Sequence, residues 1–292
     1  MKSWMMMTMS IMLITATYSL ACTMDGREGF APTNRMNIPI DQNKSGITEQ
    51  EFHRMIDRVL AIYAPIVQDF GAQLNVIRDW ENGTVNAFAS RYGNIWNVKM
   101  FGGLARHKAV TADGFALVMC HEVGHHVGGA PRYGAGIDWA SNEGQSDYFG
   151  TLKCFRKVFE NDDNQSIVSG LDIPEKVKEE CAMSWGGEQL LNSQDYFLCL
   201  RSAMAGKSLA NLLAELGGAV EPKFDSPDAS IVYVTQDGHP RAQCRLDTYF
   251  NGALCGVPHQ EDVNDEDEVL GTCHQSTTQR GVRPLCWFKP AM

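Results

Sequence analysis

The chain has 292 residues, of which 44% are apolar and 21% charged, which is enough for one globular core of ordinary size or two small ones. Its formal net charge of −10 argues against a nucleic-acid-binding surface, so we predict no nucleic-acid partner. Nine cysteines are many for a cytosolic protein of this length and favour an oxidising compartment.

The N-terminus is typical of an export signal. Lys2 precedes an apolar run from Met5 to Leu20, and the small residues Ser19 and Ala21 stand just before Cys22. Threonines and serines interrupt the run, so it is a poor membrane-spanning helix. We therefore predict a signal peptide over residues 1–21, followed by a mature chain that begins at Cys22.

Two interpretations of Cys22 stay open. The residues before it resemble a bacterial lipobox, although Ser19 stands where leucine is usual, and Cys22 would then carry a lipid. Ordinary signal-peptidase cleavage after Ala21 fits the same residues. The expected location is the bacterial periplasm, or the outer membrane as a lipoprotein, ahead of full secretion. Membrane contact is expected only through a lipid at Cys22.

The first half of the mature chain has three predicted parts. Residues 22–47 are rich in Gly, Pro, Asn and Asp, which is typical of a tether or loop. A helix is predicted from Thr48 to Phe70, because Thr48 and Glu51 form a capping box before apolar residues at helical spacing. Short strands separated by turn residues are predicted over Leu74–Trp80, Thr84–Ser90 and Ile95–Phe101.

The second half of the chain is predicted to be mainly helical before it becomes irregular. One helix is expected from Asp138 to Phe159, and residues 175–216 are expected to be mostly helical with a break at Gly186-Gly187. Ile231–Thr235 is a candidate strand. The chain from Asp237 onward is predicted to be cysteine-rich and irregular.

Cysteine spacing limits the chemistry of the eight cysteines that follow Cys22. An even number permits four disulfides, and none is spaced Cys-x-x-Cys, so a cysteine zinc site is not expected. Pairing of neighbours in sequence, Cys244 with Cys255 and Cys273 with Cys286, is a guess from proximity alone.

The residues that carry chemistry begin with His121-Glu122-Val123-Gly124-His125. This run follows the apolar stretch Phe115–Cys120 and precedes Gly128-Gly129, so it is predicted to lie on a helix. Two histidines four residues apart share one helix face and can bind one metal ion. Glu122 can act as a base on a water bound to that ion. The pattern predicts one zinc ion per chain.

A third ligand is found on the next predicted helix. Glu143 and Asp147 lie four residues apart, hence on one helix face. The Glu143 carboxylate can complete a three-ligand zinc site that leaves the fourth position to water. Asp147, one turn away, could accept a hydrogen bond from a ligand histidine and fix its orientation. Cys120 and Cys154 could join the two helices, or each could pair elsewhere.

Together these motifs show a resemblance to a known group of enzymes. His-Glu-x-x-His followed by Asn142-Glu143-x-x-x-Asp147 is similar to the glutamate-zincin metallopeptidases, of which thermolysin is a familiar member. Val85-Asn86-Ala87-Phe88-Ala89 resembles a strand of the HtpX-like and CAAX-prenyl-protease family, and the segment His239–Arg245 resembles that family's late His-Pro-x4-Arg motif. The resemblance covers residues 50–250. The chain departs from the family in having only 17 residues between His125 and Glu143 and in lacking the family's transmembrane helices.

The resemblance implies a fold and a division of the chain. We expect a mainly helical α+β zincin-type metallopeptidase, with a small antiparallel sheet beside the active-site helix. The metallopeptidase domain would span residues 48–250. A cysteine-rich C-terminal extension, residues 251–292, would pack on the same domain.

The resemblance also implies a role for particular residues. Zinc would be bound by His121, His125 and Glu143, and Glu122 would be the general base. An extended peptide would lie along Asn86, Ala87 and Phe88. His239 and Arg245 would stabilise the oxyanion or gate the site, with Tyr133 and Tyr148 as weaker candidates. Of the other histidines, His126 is expected at the surface or behind the ligands, and His53, His107, His259 and His274 are expected to be structural.

The predicted function is that of a zinc metalloendopeptidase that cuts proteins or peptides outside the cytoplasm, misfolded envelope proteins among them. One alternative is a zincin-fold envelope lipoprotein that binds proteins like a chaperone without cutting them, although the intact Glu122 argues against it. A second alternative is an aminopeptidase, because Asn142-Glu143-Gly144 also resembles those enzymes.

Overall fold

The computed structural model describes residues 19–20, 29–134, 136–186, 193–275 and 280–291. The predicted signal peptide apart from Ser19–Leu20, and the predicted lipid-bearing Cys22, lie outside the described residues. Among the residues that are described, no helix is both long and apolar enough to cross a membrane.

The first helix, α1 (Glu49–Asp69), begins where the capping box predicts. The Thr48 hydroxyl accepts a hydrogen bond from the Glu51 amide, while the Glu51 carboxylate accepts one from the Thr48 amide. Its buried residues recur at helical spacing and pack into the main core with helix α3 (Ala112–Val127). The predicted helix is therefore confirmed to within one residue at each end.

A small sheet has one strand before α1 in the sequence and three strands between α1 and α3. Its strands are β1 (Ser19–Leu20), β2 (Gln73–Asp79), β3 (Ala87–Tyr92) and β4 (Ile95–Phe101), in the order β1-β3-β4-β2. β3 and β4 form an antiparallel hairpin, but β2 runs parallel to β4. The expected purely antiparallel sheet is therefore wrong. Residues 80–86 carry the chain across the sheet rather than through a hairpin turn, so β4 lies between β2 and β3. A short helix, α2 (Gly102–Ala105), directly follows β4.

Two helices built end to end follow α3. Helix α4 (Glu143–Phe149) passes through a π-helical turn (Gly150–Cys154) into α5 (Phe155–Phe159). The predicted start at Asp138 is wrong, because Asn142 caps the helix by accepting a hydrogen bond from the Gln145 amide. The preceding residues form a loop instead. A β-bridge between Arg132 and Ser141 closes that loop.

The C-terminal half is more regular than the sequence predicts. After the short helices α6 (Asn164–Ser169) and α7 (Glu175–Ser184), the long helix α8 (Gln194–Gly217) packs against α9 (Ala242–Leu254). The expectation of irregular chain from Asp237 onward is wrong for α9. This helix lacks a side-chain N-cap, which removes the usual start signal, and it is stabilised by packing. The candidate strand Ile231–Thr235 does not form a strand.

Four disulfides join the described residues. They are Cys120–Cys154, Cys181–Cys199, Cys244–Cys286 and Cys255–Cys273. The disulfide Cys120–Cys154 joins α3 to the end of the π-helical turn, which confirms the prediction that these cysteines could join the two helices. The guess that Cys244 pairs with Cys255 is wrong, because α9 separates these residues by roughly 16 Å along its axis. The pairing of Cys273 with Cys286 is wrong for the same reason, since each of them bonds one end of α9. Four disulfides indicate an oxidising, extracellular compartment.

The alternation of helices with a small sheet confirms the α+β class. Residues 29–47, predicted as part of a tether, contain one short 3₁₀ turn (Ile40–Gln42) and one isolated β-bridge, between Asn37 and Thr84. Phe30 and Ala31 are nevertheless fully buried in the main core. The N-terminal segment of the described chain is therefore part of the packed structure around α3.

Candidate metal centre

The two histidines of the motif lie one turn apart on α3, with ring centroids 4.7 Å apart. The Nδ1 atom of His121 lies 2.7 Å from Asp147 Oδ1, and that of His125 lies 2.8 Å from the Ser141 carbonyl oxygen. Because a carboxylate and a carbonyl can only accept, both Nδ1 atoms donate their protons. Each Nε2 atom can therefore present a lone pair when its ring is neutral.

Glu143, the first residue of α4, points its carboxylate at these two nitrogens. Its Oε2 lies 3.3 Å from His121 Nε2, and its Oε1 lies 3.7 Å from His125 Nε2. The Tyr133 hydroxyl donates a hydrogen bond of 3.0 Å to Oε1. One ligand atom from each of the three residues lies within 4.8 Å of the other two. The loop and the two helices thus converge on one point.

Unpaired buried atoms support the presence of a cation at this point. His121 Nε2 and Glu143 Oε2 are buried and have no hydrogen-bond partner. An unsatisfied buried polar group costs about 1–3 kcal/mol. A metal ion would satisfy both atoms at once. His121, His125 and Glu143 therefore form a buried group that could hold a metal ion.

The protonation states of the two rings differ. Burial lowers the pKa of His125 to about 4, so this ring is neutral as a metal ligand requires. Burial also acts to lower the pKa of His121, but the nearby carboxylates of Asp147 and Glu143 outweigh it and raise this pKa to about 9. Metal binding near neutral pH would therefore displace a proton from His121.

Glu122 stands between the two histidines in sequence and is fully buried. Neither of its carboxylate oxygens has a hydrogen-bond partner. Burial raises its pKa to about 8, with the negative charge of Glu143 adding to the effect. With this pKa, Glu122 is mainly protonated at neutral pH while the neighbouring group holds no cation. A cation bound by His121, His125 and Glu143 would favour the ionised form, and that carboxylate, which has no hydrogen-bond partner, could then accept a proton.

Asp147 is the centre of a buried polar network behind His121. Its carboxylate accepts hydrogen bonds from Arg245 Nε at 2.6 Å, Arg245 Nη2 at 2.7 Å and the Tyr249 hydroxyl at 2.6 Å. Burial alone would raise the pKa of Asp147, but the charge of Arg245 holds it below its ordinary value. The ionised carboxylate fixes the tautomer and orientation of His121.

Of the two residues in the late His-Pro motif, only His239 reaches the metal-binding group itself. His239 Nε2 lies 3.3 Å from Glu143 Oε2 and 2.7 Å from the Gly29 carbonyl oxygen. Arg245, on α9, lies behind His121 instead. Its guanidinium donates to Asp147 and, through Nη1, to the Phe30 carbonyl oxygen at 2.6 Å.

The predicted peptide-binding residues lie on or just before β3 and contact the chain's own N-terminal segment. Asn86 Oδ1 accepts a hydrogen bond from the Ala31 amide at 2.9 Å, and its Nδ2 donates to the Ala31 carbonyl at 3.1 Å. The Ala87 carbonyl accepts a hydrogen bond from the Phe30 amide at 2.9 Å. Phe88 packs edge-on against Phe101.

His126 is buried rather than exposed, so the surface alternative is wrong. Its ring is stacked between those of Trp96 and Trp139, with centroid distances of 5.4 and 5.1 Å. Its Nδ1 accepts a hydrogen bond from Arg91 Nε. The two indoles were not recognised as its partners because they come from β4 and from the loop before α4.

The remaining candidates lie elsewhere. The Tyr148 hydroxyl donates to the Gly281 carbonyl at 2.6 Å and so anchors the C-terminal segment. Among the described residues, the other histidines take no part in a group that could hold a metal ion; they are His53, His107, His259 and His274.

The sequence alone missed three residues of the centre: Ser146, Tyr249 and Phe30. The Ser146 hydroxyl lies 3.0 Å from His125 Nδ1, and its place between Glu143 and Asp147 was a usable signal. Tyr249 follows Arg245 by one helical turn, so recognition of α9 would have found it. No local signal marked Phe30.

No protein-family model, curated protein or solved structure matches this chain.

Proposed function

We propose that this chain is a zinc-dependent metalloendopeptidase with a zincin-type fold. The observation that carries the proposal is the buried group of His121, His125 and Glu143, with Glu122 adjacent and without a hydrogen-bond partner. Two imidazoles and one carboxylate are a ligand set of catalytic zinc sites, in which the fourth position stays open. A structural zinc site would need a fourth protein ligand and would have no use for Glu122.

The reaction proposed is hydrolysis of a peptide bond. Zinc, when bound, supplies a Lewis acid that acidifies a water molecule and polarises the peptide carbonyl. Glu122 takes the proton of the attacking water and delivers it to the nitrogen of the leaving amine. Because neither of its oxygens has a hydrogen-bond partner, no competing contact holds Glu122 away from that water.

Hydrogen-bond donors near Glu143 can stabilise the negative charge that develops on the carbonyl oxygen. His239 and Tyr133 each lie within 3.3 Å of a Glu143 oxygen, so both reach the rim of the metal-binding group. Arg245 is assigned a different role. Because its guanidinium bonds Asp147, it positions His121 rather than binding the oxyanion.

The proposed substrate is an extended segment of a protein. β3 packs against α3, the helix that carries His121 and His125, and Ser19–Leu20 add to β3 antiparallel, opposite Arg91 and Ser90. Extended peptides bind to sheet edges by the same main-chain hydrogen bonds. The four disulfides favour substrates outside the cytoplasm, with misfolded envelope proteins as candidates and the periplasm or a lipid anchor at Cys22 as the proposed location.

We expect the zinc-loaded protein to cleave an N-acetylated, C-amidated peptide internally, with fragments detected by mass spectrometry so that slow turnover is visible. A zinc chelator should abolish cleavage because the ligands then hold no Lewis acid, and added zinc should restore it. Cleavage restricted to peptides with a free N-terminus would instead identify an aminopeptidase. Peptide binding without cleavage under any condition would identify a non-catalytic binding protein.

A further inference from the structure

The segment Gly29-Phe30-Ala31 lies against β3 as an extended peptide would. The Phe30 amide donates to the Ala87 carbonyl at 2.9 Å. The Asn86 side chain bonds the backbone of Ala31 on both sides, to its amide and to its carbonyl. These main-chain contacts do not depend on the side chains of the segment, which is the mode by which sheet edges bind peptides.

The side chain of Phe30 fills the space beside a metal-ligand candidate. It is fully buried, and its ring lies edge-on to His121 with a centroid distance of 5.2 Å. The Arg245 guanidinium covers the ring at 4.5 Å and donates to the Phe30 carbonyl at 2.6 Å. A large apolar side chain is thus bound in a closed pocket, with its backbone carbonyl held in place.

The carbonyl that precedes Phe30 reaches the centre itself. The Gly29 carbonyl oxygen lies 2.7 Å from His239 Nε2, and the same nitrogen lies 3.3 Å from Glu143 Oε2. The backbone of the segment therefore engages both Asn86, which the sequence predicts to bind the substrate peptide, and His239, which the proposed function assigns to the oxyanion.

Gly29 is the residue that allows this approach. A Cβ at this position would overlap the Ala87 carbonyl oxygen and crowd Asn86 Oδ1 at 2.7 Å. Any larger residue would keep the segment away from β3. The close seating is therefore specified by the sequence of the segment.

We propose that residues 29–31 are a tethered peptide that occupies the substrate cleft and holds the enzyme in a latent form. The inference rests on the proposed function for the identity of the cleft. A short tether gives its peptide an effective concentration in the millimolar range, so only a strongly binding substrate could compete. Activity against proteins then requires the segment to leave β3. The ligand class of the cleft is an extended peptide with a small residue followed by a large apolar one.

The test uses Gly29→Leu in the full-length, zinc-loaded protein, with Gly256→Leu as the matched control. Gly256 is exposed, and a Cβ there would meet no atom within 4 Å. The probe is a fluorescein-labelled peptide with the sequence Gly-Phe-Ala-Pro-Thr, and its binding is measured by fluorescence anisotropy. Turnover of the end-blocked peptide and zinc content are measured on the same samples.

We expect Gly29→Leu to bind the probe at least about 10-fold more tightly than the wild type, because its tethered competitor is gone. Turnover should rise by a similar factor while zinc content stays unchanged, and Gly256→Leu should match the wild type. Tighter probe binding without cleavage by any variant would support the tethered peptide and reject the hydrolase.

Two results would overturn the inference while leaving the hydrolase intact. The first is that the Gly29→Leu variant keeps its zinc but neither binds the probe more tightly nor cleaves the peptide faster than the wild type. The other is loss of zinc from the folded variant, which would make the segment a permanent part of the centre. If Gly29→Leu does not fold, Phe30→Ala replaces it, with the same expected direction and the same overturning results.

Discussion

Glu122→Gln is expected to leave zinc bound and to reduce peptide cleavage by about 10³-fold, within the range that a general base contributes. Glutamine has nearly the same shape as glutamate, and Glu122 is not one of the three ligand candidates. The amide cannot take a proton from water, so only the chemical step is affected. Stability should not fall, since the buried Glu122 oxygens have no hydrogen-bond partner to lose.

The control is Glu215→Gln, which removes one carboxylate from α8. Glu215 pairs with Lys108 at 3.2 Å and belongs to no metal-holding group among the described residues. The Glu215→Gln variant should bind zinc and cleave the peptide as the wild type does. Wild-type cleavage by Glu122→Gln would reject Glu122 as the base, and loss of zinc from that variant would show that it acts on the ligands instead.

Arg245→Met is expected to cause the second large effect, on both stability and zinc binding. It would leave the Asp147 carboxylate buried with the Tyr249 hydroxyl and His121 but without its cation. Breaking one side of a buried ion pair costs about 3–5 kcal/mol in the free energy of unfolding. Because Asp147 orients His121, zinc affinity of the folded protein should fall about 10- to 100-fold.

Arg201→Met separates these two effects. Arg201 is also buried and bonds two carboxylates, Asp113 at 2.7 Å and Asp162 at 2.8 Å, but on α8 and away from the metal ligands. We expect a comparable loss of stability, measured by urea unfolding, with an unchanged zinc dissociation constant. Unchanged zinc affinity in Arg245→Met, or an equal loss in both variants, would contradict the positioning role.

The ligand candidates could be predicted from sequence because they depend on local periodicity. His121 and His125, like Glu143 and Asp147, are one helical turn apart, so the spacing alone fixes which face they share. The capping residue Thr48 acts over three residues and marks the start of α1 equally locally. Asn142 acts over the same distance, but the predicted start of its helix is Asp138 instead. The structure adds that the two helix faces meet.

The remaining features of the fold and of the site depend on contacts between segments far apart in the chain, which the spacing of residues in the sequence does not encode. The Arg245 to Phe30 hydrogen bond joins residues 215 positions apart, and a glycine- and proline-rich stretch gives no sign that it packs beside a buried histidine. The parallel pairing of β2 with β4 depends on where residues 80–86 cross. Disulfide partners likewise follow from α9, whose length separates Cys244 from Cys255.

The central claim is that His121, His125 and Glu143 together hold one zinc ion. The most direct test is the zinc content per chain, measured by mass spectrometry of the metal after dialysis, for the wild type and for His121→Ala/His125→Ala. We predict about one zinc ion per wild-type chain, as expected for a three-ligand catalytic site, and almost none in the double variant. A wild-type protein without zinc, or a double variant that retains it, would contradict the claim.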